Sequence, residues 1–138
     1  MKKKDLLFCV LGVILIAAAI FYVCREDSVL PLDTEHADSI IFKIYPQHGD
    51  NYTVTDDGRV KEIVQAINEL DMQEGTEQIN RMSDRYYSFF VHMLDKDIPI
   101  ELDECTISID QESYRADTSG LRVLLDRTYH DIMRGVID

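Results

Sequence analysis

The chain has 138 residues, 46% of them hydrophobic, with 26 acidic side chains against 14 basic ones and a net charge of −12. Lys2, Lys3 and Lys4 against Asp5 give residues 1–24 a side-chain balance of +2, so the total of −12 leaves −14 on residues 25–138. So negative a field repels phosphate backbones and sets the chain against nucleic acid as a partner, while the length leaves room for one domain of roughly 100 residues.

Residues 6–24, LLFCVLGVILIAAAIFYVC, carry no charge. At 1.5 Å per residue a helix of that length is about 28 Å long, close to the roughly 30 Å of bilayer hydrocarbon. No face of it is polar, and Tyr22 falls near one end, where interfacial aromatics belong. The pattern predicts a transmembrane anchor at 6–24, behind a basic cytoplasmic tail at 1–5. Because lysines stay inside, everything after the span is expected to be extracytoplasmic. Two other processing routes share that orientation. Cleavage after Ala17, Ala18 and Ala19 would leave the apolar IFYVC on the mature chain, and lipidation of Cys24 would place branched Val23 where a small residue belongs.

The remaining cysteines are Cys9, inside the span, and Cys105, so the domain has no disulfide framework of its own. A bond from Cys24 to Cys105, or between two copies of Cys24, stays open. Cys105 falls in a strand pattern and reads as a small hydrophobe.

Residues 25–37, REDSVLPLDTEHA, mix charge with Pro31 and read as a tether, so the folded domain is expected at 38–138. SIIFKIY and YTVT predict two strands of a hairpin turned by PQHGDN. TDDGRVKEIVQAINEL offers Thr55, Asp56 and Asp57 as capping oxygens and repeats Val60, Ile63, Val64, Ile67 and Leu70 at helical spacing. Residues 71–84 are poor in apolar side chains, include Gly75, and read as a loop long enough to be mobile or functional.

RYYSFFVHM, IPIEL, CTISID and SYRA predict further strands, with Pro99 expected at an edge or a strand start because it cannot donate to a ladder. DTSGLRVLLDRTYHDIMRG predicts a last helix, capped by Thr118 or Ser119, with Leu121, Leu124, Leu125, Tyr129 and Ile132 inward and Gly135 ending it. The expected architecture is α+β: an N-terminal transmembrane helix, then a mainly antiparallel sheet of about five to six strands with two amphipathic helices on one face.

No Gly-rich phosphate loop, HExxH pair, CxxC pair or GxSxG elbow occurs, so no catalytic residue, metal or cofactor is assigned. Four weaker constellations remain, each with an ordinary structural reading. Asp126 and His130 stand four apart on the last helix, as metal ligands or an exposed ion pair would. His48 and Asp50 project from the PQHGDN turn beside Asn51 of an NYT sequon, although turns use such residues for backbone reasons. Glu101, Asp103 and Glu104, with Asp95 and Asp97 nearby, offer oxygen ligands for calcium but lack the Gly and terminal Glu of an EF-hand loop. Alternation sends Tyr87, Phe89 and Val91 to one face and Tyr86, Ser88, Phe90 and His92 to the other, so Tyr86 and Phe90 are candidates for a partner surface.

The basic start, the single hydrophobic span, the strand pair closing on YTVTDDGRVKEIVQAINEL, and TISIDQESYRAD leading into a terminal helix together resemble a known group. They look like the small membrane-anchored or lipoprotein extracytoplasmic domains of unknown function from Gram-positive bacteria. The resemblance implies placement and architecture; it carries no activity and no functional residue. The expected function is a non-enzymatic binding module that presents an acidic domain to a basic envelope or surface protein. The alternatives are a metal-assisted envelope hydrolase using His48, Asp50, Asp126 or His130, and an inhibitor or immunity protein against a basic toxin.

Overall fold

The computed structural model describes residues 2–26, 30–44, 51–75 and 77–138, the side chains of 21–26 and 44 excepted. The chain divides into two units, Met1–Pro31 and Leu32–Asp138. The first contains one helix, α1, Lys3–Glu26, which takes in the whole uncharged run 6–24. Asp5 lies in its first turn, where negative charge suits the exposed N–H groups. Its large apolar side chains from Leu6 to Ile16, and Ile20, are exposed all round the helix. Among the described residues no helix is long and apolar enough to cross a membrane.

In the second unit the elements run β1 Ala37–Ile44, β2 Tyr52–Val54, α2 Asp57–Asn68, β3 Gln73–Glu74, β4 Tyr87–Met93, β5 Lys96–Leu102, β6 Thr106–Ile109, β7 Glu112–Arg115 and α3 Ser119–Met133. The seven strands form one antiparallel sheet in the order β2, β1, β4, β5, β6, β7, β3. The fold is α+β, with one strand more than the sequence predicts. The extra strand is β3, inside the expected loop at 71–84, where Gln73 and Glu74 pair with Arg115 and Tyr114.

Period-two alternation separates the two faces of the sheet. β4 buries Tyr87, Phe89, Val91 and Met93 and leaves Ser88, Phe90 and His92 half-exposed. Register carries the buried row across four strands, Phe42, Phe89, Ile100 and Ile109, all essentially closed to solvent. Against it α2 packs Val60, Ile63, Val64 and Ile67, and α3 packs Leu121, Leu124, Leu125 and Thr128. Tyr129 and Ile132 are half-exposed rather than inward. Buried Thr128 satisfies its hydroxyl by donating to the Leu124 carbonyl at 2.7 Å and accepting from Arg59 at 3.0 Å. Arg59 also reaches Asp131 at 2.7 Å, so one guanidinium clips α2 to α3.

The caps follow the sequence in part. Asp56 accepts from the Arg59 N–H at 2.9 Å and is the cap of α2. Thr118 precedes α3, but its hydroxyl donates to the carbonyls of Asp103 and Glu104 instead of capping. Gly135, at φ 69°, closes α3 in the left-handed conformation glycine favours.

Three expectations are corrected. The end of the expected tether is folded: Leu32 is buried, its N–H donates to Asn68 Oδ1 at 2.8 Å, and its carbonyl accepts from Asn68 Nδ2 at 2.9 Å. Pro99 sits inside β5, an interior strand. Its carbonyl accepts from Asp110 N at 2.9 Å, so it keeps its acceptor role at the end of the β5–β6 ladder although it has no N–H to donate. Cys105 is exposed in the bend before β6, not packed as a hydrophobe, because the Asp103 side chain accepts its N–H at 3.0 Å and turns the chain there.

Candidate functional site

On the sheet face away from the helices, register lines up Ser88, Glu101, Ser108 and Ser113 across β4, β5, β6 and β7. The neighbouring row is Ile41, Phe90 and Pro99. Small hydroxyl side chains leave a hollow where larger residues would fill the face. Residues 77–82 pass along this hollow as a strap, with Gln78, Ile79 and Arg81 on its rim. The resulting groove has a volume of about 650 Å³, within the range of roughly 300–1,000 Å³ usual for ligand sites.

The strap is held by a buried carboxylate. Asp103 is 5% exposed; its Oδ2 accepts from Asn80 N at 2.8 Å, and its Oδ1 accepts from Cys105 N at 3.0 Å and Thr106 N at 2.8 Å. Three N–H donors make that burial tolerable for a charge. The solvated or calcium-binding turn expected at Glu101, Asp103 and Glu104 is thus, at Asp103, an internal latch. Among the described residues no three His, Cys, Asp or Glu side chains gather to hold a metal.

Glu101 sets the electrostatics of the groove. One oxygen accepts from the Tyr86 hydroxyl at 2.5 Å and the other from Arg81 at 3.2 Å. Partial burial pushes the Glu101 carboxyl up, but the Tyr86 hydroxyl and Arg81 together outweigh it and hold the group below the usual range. Burial, and then the bond to Glu101, push the Tyr86 hydroxyl up, while Glu101 raises Arg81. At neutral pH the trio is therefore an anion, a cation and a neutral phenol whose charges cancel. Phe90 adds an aromatic ring, with the Lys43 ammonium 5.6 Å from its centroid.

No family model, curated protein or solved structure matches the chain.

Of the residues singled out in the sequence, Phe90 lines this groove, and Tyr86, itself buried, reaches it through its bond to Glu101. Asp126 accepts from the Tyr87 hydroxyl at 2.6 Å, which reaches up from the covered face of the sheet. His130 is exposed, with its ring 5.9 Å from that of Tyr129 in an edge-on arrangement. His48 and Asp50 lie outside the described residues. His92 bonds Asp97 at 2.5 Å, but it stands two same-face positions along β4 from Ser88, roughly 13 Å away at the rise of a strand. Sequence reasoning placed Ser88 on the second face without singling it out, and missed Arg81, Ser108 and Ser113. Each serine occupies an outward position of a short strand, and only the register shows that they stand in line.

Proposed function

We propose that the chain is a single-pass membrane protein whose extracytoplasmic unit is a non-enzymatic binding module, working through the open face of its sheet. The observation that carries this reading is the groove: a concave, charge-balanced hollow with hydroxyl groups turned into it. Anchoring is supported by the uncharged run 6–24 lying wholly within α1 and by the apolar surface of that helix. The three N-terminal lysines favour a cytoplasmic start, and the resemblance to small Gram-positive extracytoplasmic domains agrees. A basic surface protein remains the fitting macromolecular partner, drawn by the charge of −14 on residues 25–138.

The test uses the full-length chain in intact cells. With Cys9→Ser and Cys24→Ser, exposed Cys105 is the one thiol left for a membrane-impermeant maleimide. Labelling of intact cells at full length is expected; labelling only after lysis overturns the placement. A photo-crosslinker at Phe90 is then expected to give an adduct that Ser108→Arg abolishes. An adduct indifferent to that change would remove the groove from the function.

A further inference from the structure

We infer that the groove over Ser88, Glu101, Ser108 and Ser113 binds a neutral oligosaccharide. The inference rests on the binding-module reading and gives that module its ligand class.

The groove lies on a sheet face, not at an edge. The backbone groups of β4, β5 and β6 are engaged in ladders on both sides, so an extended peptide cannot join as an added strand, and recognition falls to side chains. Those side chains are hydroxyls and carboxamides. Ser108 is the most telling: it lines the groove at the middle of the row, next to Glu101 in register. A hydroxyl there can both donate to and accept from a ligand lying in the groove. Ser113 stands beside it in register, and Gln78 and Gln111 add carboxamides at the rim.

The ionic groups point to an uncharged ligand. Glu101 and Arg81 already neutralise one another, so a cation arriving at the groove meets Arg81 and an anion meets Glu101. A polyhydroxylated ring can instead donate to the carboxylate and accept from the guanidinium at once, with no charge left uncompensated. Phe90 and Pro99 supply the apolar patch on which the C–H face of such a ring can lie. The Asp103 latch holds the strap in position before any ligand arrives, which lowers the ordering cost of binding.

The experiment titrates the full-length, isotope-labelled protein in detergent micelles with three neutral probes, chitotetraose, cellotetraose and maltotetraose, and separately with a lysine-rich peptide. At least one tetrasaccharide is expected to shift the backbone signals of Ser88, Glu101 and Ser108 saturably, with little dependence on salt. Ser108→Val should weaken that binding about fivefold, the value of one neutral hydrogen bond, while signals of α2 and α3 stay in place. If only the lysine-rich peptide moves the groove signals, the ligand class is wrong and the binding face survives. If no probe moves them, the oligosaccharide inference and the groove's role in the proposed function fall together. The unmodified protein decides among these outcomes even if the valine variant does not fold.

Discussion

Replacing Asp103 with alanine tests whether one buried carboxylate organises the open face. The change removes the acceptor of three backbone N–H groups, those of Asn80, Cys105 and Thr106. Thr106 is 1% exposed and cannot turn its N–H to water, whereas Asn80 and Cys105 are exposed and can. A hydrogen bond to a charged group is worth about 1.5–3 kcal/mol, so one bond lost outright and two partly replaced by water give a loss of about 3–4 kcal/mol. Against a total stability of roughly 5–15 kcal/mol that is severe, and it corresponds to a fall in Tm of about 15–25 °C for a domain of this size. Asp103→Asn keeps one oxygen for Cys105 and Thr106 but turns an amide N–H toward the Asn80 N–H. It should cost only about 1–2 kcal/mol, with the loss concentrated at the strap. The assay is urea unfolding followed by tyrosine fluorescence, together with amide exchange at Asn80; the chain has seven tyrosines and no tryptophan. A loss below about 1 kcal/mol in the alanine variant, or unchanged exchange at Asn80 in either variant, would refute the latch.

Leu125→Ala, at a fully buried position of α3, should lower the urea midpoint by the equivalent of about 2–5 kcal/mol with the m-value unchanged. Gly135→Ala places a Cβ at φ 69°, and thermal unfolding should show a loss of about 1 kcal/mol although no neighbour lies in the way. Because the folded pKa of Glu101 is depressed, its contribution to stability is present above the ordinary glutamate value near 4.3 and is lost as pH falls through the lower folded value. Stability curves of the parent and Glu101→Gln should therefore converge below about pH 4; a constant gap down to pH 2 would contradict the assigned partners.

Long periodic segments were legible in the sequence. Val60, Ile63, Val64 and Ile67 repeat at helical spacing and are the residues α2 buries, and the alternation in YYSFFVHM sorts β4 into its two faces correctly. Features made by pairing were not. β3 is two residues long, too short for any period, and exists because β7 offers an edge to Gln73 and Glu74. Leu32 is a lone apolar residue in a charged stretch, and only the side chain of Asn68, 36 positions away, marks it as part of the fold. Asp103 looks like any member of an acidic run, and its role depends on Asn80 being brought over it. The candidate site was half legible. Tyr86 and Phe90 stood out as aromatic residues on the second face, while the serines beside them are small, common and far apart along the chain until three hairpin registers align them.

The strand order has a consequence for how the molecule is assembled. β4, β5, β6 and β7 each pair with the next in sequence through short turns, so the floor of the groove needs only cheap loop closures. β1 must find β4 across α2 and the strap, a much longer closure and a correspondingly larger entropic cost. The 87–115 meander is therefore the segment placed to form first, and the β1–β4 seam is where the two halves of the sheet join last. Core truncations at that seam, such as Ile40→Val, should mainly speed unfolding, while truncations within the meander, such as Ile107→Val, should mainly slow folding.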